Sequence, residues 1–185
     1  YYNKSTQKGL VAMFTAIADA STKPIILYNV PSRTGVNITA ETTLRLAQLP
    51  NIIGIKEASG NMEQIRTILR EKPENFFVLS GDDSLTLDIM DEGGLGVISV
   101  AANSFPKSFC RMIHAQLEGN KTEARAIESK LMAPMKMLFE EGNPVGIKSA
   151  LSVMGVCSDT MRLPLVSGSE ALQAKLKCEM EAYEK

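Results

Sequence analysis

Ile52-Ile53-Gly54-Ile55-Lys56 is a short, nearly unbroken apolar run that ends on a lysine. Continuous apolarity over so few residues, rich in β-branched side chains, suits a strand buried on both faces of a parallel sheet. Three other stretches share its character: Pro24-Ile-Ile-Leu-Tyr-Asn-Val30, Phe76-Phe-Val-Leu-Ser80 and Gly96-Val-Ile-Ser-Val100.

Amphipathic stretches separate these runs. Leu10, Met13, Phe14 and Ile17 recur at helical spacing and share one face. Thr39 is the expected N-cap of a helix carrying Leu44, Leu46 and Leu49. Asn61 with Gln64 resembles a capping box ahead of Ile65, Ile68 and Leu69. Asp82 and Asp83 precede Leu85, Ile89 and Met90 as candidate caps, and Gly93-Gly94 stops that helix. Helix and strand alternate four times, the rhythm of βα units in a parallel sheet. The fourth unit's helix begins near Pro106, and past Gly119 the strands stop. Segments 123–139, 144–154 and 169–184 then read as three helices. The expected division is therefore a βα region at 1–119 and a helical domain at 120–185. Four parallel strands fit either a small open sheet or half of a (β/α)8 barrel, a fold of about 250 residues. The opening Tyr1-Tyr-Asn-Lys4 has neither an initiator Met nor a signal pattern and reads as starting mid-fold. That favours the C-terminal half of a barrel, with the N-terminal half absent.

The composition narrows the function classes. Hydrophobic residues make up 44% of the 185 residues and charged residues 22%, the balance of a soluble globular protein. The formal net charge is −1, without a basic stripe for nucleic acid. No apolar run approaches the roughly 20 residues that span a membrane. Cys110, Cys157 and Cys178 lie far apart without a CxxC spacing, which argues against a disulfide framework or a zinc cluster. His114 is the single histidine, which argues against a multi-histidine metal site or a histidine-based triad. A reducing cytoplasm is the expected compartment.

Lys56 stands at the carboxyl end of its strand, where active sites of α/β folds gather. Burial in apolar surroundings disfavours an ammonium, and a neutral amine can attack a ketone to form an imine. The plainer reading is a lysine that snorkels from a strand end. Tyr28 lies near the end of the preceding strand. Adjacent parallel strands run about 5 Å apart, so Tyr28 and Lys56 can face one site. A phenol there could shuttle protons during imine formation, or it could be a buried tyrosine donating one hydrogen bond. Arg33, in Pro31-Ser-Arg-Thr-Gly35, offers a planar fork for a carboxylate or is a solvated loop side chain. Gly81 follows the third strand and would let backbone amides approach a ligand, or simply allow a tight turn. The glycines of Gly93-Gly-Leu-Gly96 precede a strand, the wrong context for a phosphate loop. Cys110 and His114 share a helical face expected to pack.

In order and spacing these segments resemble the dihydrodipicolinate synthase family. Leu27-Tyr-Asn-Val-Pro-Ser-Arg-Thr-Gly35 is similar to its segment holding the relay tyrosine and the substrate-binding arginine. Ile52-Ile-Gly-Ile-Lys-Glu-Ala-Ser59 is similar to its Schiff-base segment. Leu79-Ser-Gly-Asp-Asp83, Gly96-Val-Ile-Ser99, Asn143-Pro144 and Arg162-Leu-Pro-Leu165 fit its later elements.

The resemblance implies a lyase of the class I aldolase type. It would condense pyruvate with L-aspartate semialdehyde to 4-hydroxy-tetrahydrodipicolinate, on the path to diaminopimelate and lysine. Lys56 would form the Schiff base and Tyr28 would relay protons. Tyr2 would extend the relay across a subunit interface, and Arg33 would bind the aldehyde's carboxylate. Gly81 and Ile98 would line the pyruvate pocket, and Tyr1 would touch an allosteric lysine site. Neither metal nor organic cofactor is implied, and a homodimer or homotetramer is. The family's N-terminal half carries a relay threonine that has no counterpart here. Sibling aldolases acting on N-acetylneuraminate or keto-deoxy sugar acids share the lysine and tyrosine, and Arg33 favours the first reading over them. A non-catalytic pyruvate-binding module is a further alternative.

Overall fold

Each of the four apolar runs forms a strand. A computed structural model describes residues 3–183, so Tyr1 and Tyr2 lie outside the described residues. The order opens with α1 (Gln7–Ala20), whose N-cap Thr6 accepts a hydrogen bond from the Gly9 amide at 3.2 Å. There follow β1 (Ile25–Asn29), a single helical turn α2 (Pro31–Thr34), α3 (Ala40–Leu46), β2 (Ile52–Glu57) and α4 (Met62–Glu71). β3 (Phe77–Ser80), α5 (Thr86–Asp91) and β4 (Gly96–Val97) complete the alternation. All four strands are parallel and lie side by side in chain order. The α/β class and the parallel sheet are as the sequence predicts.

The faces of the sheet differ from the sequence expectation. Leu27, Ile55 and Val78 are 1%, 0% and 0% exposed and form one core with Ile65 and Ile68 of α4 and Leu46 of α3. On the opposite face of β1, Ile26 and Tyr28 are 43% and 45% exposed. Apolar continuity predicted burial on both faces. In the described chain the helices of this unit close only one, and the burial along β1 alternates accordingly. β4 is also shorter than its five-residue run, because the backbone leaves the ladder after Val97 and enters a 3-10 turn at Ala101–Asn103.

Two helix signals hold in part. On α1, Leu10 is buried and Phe14 partly so, while Met13 and Ile17 are 47% and 44% exposed. The buried stripe is narrower than the apolar one. Asn61 caps α4 by accepting from the Gln64 amide at 3.1 Å. The Gln64 side chain does not return to Asn61, whose own amide donates to Ser59 Oγ. Gln64 is used elsewhere, as described below.

The chain divides into two compact units, up to Ile98 and from Ser99 onward. The second contains α6 (Pro106–Leu117), α7 (Lys121–Glu140), α8 (Val145–Val153) and α9 (Glu170–Tyr183). The sequence puts the change at 119/120, where strands cease. In the structure α6 lies along α7 and so groups with the helices after it. Phe109, Met112, Leu131, Leu138, Ala150 and Leu176 are buried within this unit. α9 starts at Ser169, whose hydroxyl accepts from the Leu172 amide at 3.1 Å. The Glu141 carboxylate accepts from the Ser169 amide at 2.9 Å and from its hydroxyl. The hydroxyl bond, then the amide bond, hold the Glu141 carboxyl below its usual range against a small burial effect, and Lys175 adds to the lowering.

Candidate active site at the strand ends

The site is built on register. Tyr28 of β1 stands opposite Lys56 of β2, and Lys56 opposite Leu79 of β3. Side chains alternate along each strand, so Tyr28 and Lys56 emerge on the same, more open face. Lys56 is half-buried, and its Nζ lies 4.1 Å from the centroid of the Tyr28 ring. An ammonium over an aromatic face is an attractive cation–π arrangement. Lys56 therefore leans on its neighbour instead of reaching away into solvent, and Tyr28 is a partly exposed wall, not a buried donor.

Gly81 closes the other flank of the lysine. Its amide donates to the Glu57 carbonyl at 2.7 Å. A Cβ at this position would stand 3.0 Å from Lys56 Cε and 2.8 Å from Ala58 Cβ. The sequence left two readings, amides freed for a ligand or a tight turn. The amide is committed, and the missing side chain is what makes room for the lysine stem. Ile98, 45% exposed, follows β4, and its amide donates to the Ser80 carbonyl at 2.9 Å. Arg33 sits on α2, exposed, in a helical turn where the sequence suggested a loop. The turn ends on Gly35 at φ 69°, with the Gly35 amide donating to the Pro31 carbonyl at 2.8 Å.

Asp82 acts as a cap: its Oδ1 accepts from the Ser84 amide at 2.9 Å and the Ser84 hydroxyl at 2.7 Å. Cys110 and His114 do not pack. Phe109, Met112, Ala115 and Gln116 take the buried face of α6. Cys110 and His114 instead line an open recess of about 430 Å3 with Lys107, Arg111 and Glu123.

The sequence reading passed over the polar row behind the lysine. Asn29, Glu57 and Ser80 are each 0% exposed at the ends of β1, β2 and β3. Asn29 Nδ2 donates to both oxygens of Glu57 at 3.1 Å. The Ser59 amide donates to Glu57 Oε1 at 2.7 Å, and Gln64 Nε2 to Oε2 at 3.3 Å. A signal was available: a carboxylate inside the buried run Ile52–Glu57 needs partners to offset its desolvation.

The comparisons agree with one another. The Dihydrodipicolinate synthetase family model matches residues 1–183. The 4-hydroxy-tetrahydrodipicolinate synthase of Azobacteroides pseudotrichonymphae is 52% identical over 178 residues, covering 96% of this chain and 60% of that protein. Among solved structures, dihydrodipicolinate synthase from Aquifex aeolicus is 44% identical with a TM-score of 0.96, covering 100% of this chain and 63% of that one. The chloride-inhibited dihydrodipicolinate synthase from Acinetobacter baumannii, complexed with pyruvate, is 38% identical with a TM-score of 0.94, covering 98% and 62%. The chain thus spans about 60% of the length of the curated relatives it matches. With the match running almost end to end over a strand-end lysine, its facing tyrosine and the glycine that seats it, the chain belongs to the dihydrodipicolinate synthetase family.

Proposed function

We propose that the protein condenses pyruvate with L-aspartate semialdehyde through an imine on Lys56. The observation that carries the reading is the Lys56–Tyr28 pair, with Nζ 4.1 Å from the ring centroid at adjacent strand ends. As the neutral amine, Lys56 Nζ attacks the ketone carbon of pyruvate, the C=O π electrons pass to oxygen, and transfer of one N–H proton to that oxygen completes a carbinolamine. Its hydroxyl must leave as water, which needs a proton delivered at that oxygen, and the Tyr28 hydroxyl is the nearby group of the right kind. Loss of a methyl proton from the imine gives an enamine, whose carbon attacks the aldehyde. The amine of the second substrate then displaces Lys56, closing the ring. Arg33 serves that substrate's carboxylate. Gly81 and Ile98 border the pyruvate site. No cofactor enters this scheme.

The proposal includes the larger assembly. Residues 1–119 supply βα units of a (β/α)8 barrel and 120–185 its helical tail. The exposed face carrying Ile26, Tyr28 and Ile98 is then the barrel interior. Tyr2 of a neighbouring subunit extends the proton relay in a homodimer or homotetramer, Tyr1 borders a lysine site, and the compartment is the cytoplasm. The test is borohydride reduction with pyruvate, followed by peptide mapping. One pyruvyl adduct on Lys56 is expected, and label on another lysine, or none, overturns the mechanism.

A further inference from the structure

We propose that Glu57 is a positioning residue: its buried carboxylate fixes the β1–α3 connection that bears Arg33, and the tyrosine of β1, relative to Lys56. The inference rests on the aldolase reading above and extends it to the opposite face of the same strands. Asn29 and Glu57 are register partners one residue beyond Tyr28 and Lys56. The open face of the pair carries Tyr28 and Lys56, and the covered face carries Asn29 and Glu57. Glu57 is fully buried, and its hydrogen bonds all come from N–H donors on Asn29, Ser59 and Gln64. Among the described residues no lysine or arginine pairs with it.

The donors it holds reach onward to the connection after α2. Asn29 Nδ2 also donates to Asn37 Oδ1 at 2.8 Å and to the Ile38 carbonyl at 3.3 Å, while Asn29 Oδ1 accepts from the Ile38 amide at 2.9 Å. Gln64 accepts from Asn37 Nδ2 at 2.8 Å and donates to the Ile38 carbonyl at 3.1 Å. Asn37 and Ile38 follow Arg33 by a few residues, so the turn carrying the arginine is tied at its downstream end to Glu57 through two amide side chains. The Ser59 amide ties the loop after β2 to the same carboxylate. One acceptor group thereby sets three things: the side chain beside Tyr28, the loop beyond Lys56 and the anchor of Arg33. Stability alone would be served as well by an apolar pair, because a buried charge is expensive and well-packed hydrophobic residues often replace one without loss. What the carboxylate supplies is a geometry that only acceptors can satisfy.

The test uses the full natural chain. Glu57→Gln keeps size and shape but sets an amide donor against the Asn29 and Gln64 donors. kcat/KM for the aldehyde is expected to fall about ten- to a hundredfold, the scale of an ångström-level misplacement. The change should fall mainly on the aldehyde KM and on the rate of pyruvate trapping at Lys56. Asn29→Asp in the Glu57→Gln background restores the donor–acceptor pair between the two strands but loses the Asn29 donations to Asn37 and Ile38, so it should recover pyruvate trapping and leave the aldehyde KM raised. Gln64→Ala, at the edge of the network, leaves Glu57 its Asn29 and Ser59 donors and keeps the proposal testable if Glu57→Gln does not fold. It should raise the aldehyde KM severalfold with trapping unchanged. Kinetic constants within twofold of the parent in each single variant that folds, with only a lowered Tm, overturn the positioning role while leaving the aldolase reading standing. Absence of pyruvate trapping in the unaltered protein overturns both.

Discussion

Lys56 Nζ stands over the Tyr28 ring, 4.1 Å from its centroid, and the two residues are exact register partners across β1 and β2. Ring and hydroxyl can therefore be separated by mutation. Tyr28→Phe keeps the aromatic wall and removes the proton carrier, so kcat should drop by about 10²–10⁴-fold. Tm should stay within a few degrees of the parent. Lys56→Ala should abolish borohydride trapping altogether with the circular dichroism spectrum retained. Turnover near the parental rate in Tyr28→Phe would remove the hydroxyl from the mechanism.

Arg33 lies on an exposed turn beyond the strand end. Arg33→Ala should spare pyruvate trapping and lower kcat/KM for the aldehyde by about one to two decades. That is the loss of one charge-assisted carboxylate contact, roughly 1.5–3 kcal/mol. Steady-state kinetics with each substrate varied in turn decides this, and loss of trapping along with turnover would show that the arginine serves pyruvate instead.

Gly81→Ala should damage the lysine pocket from the side. The new methyl meets Ala58 Cβ at 2.8 Å, Lys56 Cε at 3.0 Å and the Glu57 carbonyl at 3.2 Å. Only the lysine end can yield cheaply, and when it does Nζ leaves its seat. A destabilisation of about 1–3 kcal/mol is expected from overpacking, together with slower trapping at saturating pyruvate. Thermal denaturation and trapping rates measured on one preparation check both parts.

Acid should loosen the end of the helical unit. The Glu141 carboxyl titrates below its usual range, first because of the Ser169 hydroxyl bond. A depressed folded-state value means that its contribution is present above the ordinary carboxylate range and is lost as pH falls through the lowered value. Glu141→Gln should remove this acid-dependent component while leaving the neutral-pH spectrum helical. Parallel pH titrations of Tm in parent and variant test it, and superimposable acid limbs would contradict it.

β1 and β4 present unpaired outer edges among the described residues, and Ile26, Leu95 and Ile98 are 43%, 61% and 45% exposed. Such edges invite association. A polypeptide limited to these residues is expected to self-associate and to turn over far more slowly than one extended to the length of its relatives. Light scattering and kcat on the two forms provide the comparison, and equal turnover by a monodisperse short form would refute the half-barrel reading.

The strands, the helix positions and the Tyr28–Lys56 pairing were legible because each rests on local patterning: apolar runs, caps, and a polar residue at a strand end. What stayed hidden was relational. Apolar runs cannot tell which face of a strand this chain's own helices cover, so the alternating burial along β1 was not legible in the run itself. Gly81 was legible as a strand-end glycine, but the close approach that uses it involves the Lys56 stem, which comes from another strand. Glu57 sat inside the quoted motif beside the lysine. Its donors come from Asn29, Ser59 and Gln64, which only the folded register brings together.

The order of the strands has a consequence for how the sheet is made. β1, β2, β3 and β4 are neighbours in space in the sequence in which they are synthesised. Among the described residues each strand pairs with the one before it in the chain. Consecutive pairing keeps each closing loop as short as a parallel crossover permits, which limits the entropy lost at each step. β1 and the lysine strand therefore pair by closing one βαβ crossover, and the Tyr28–Lys56 partnership forms in the same step as the pairing that carries it.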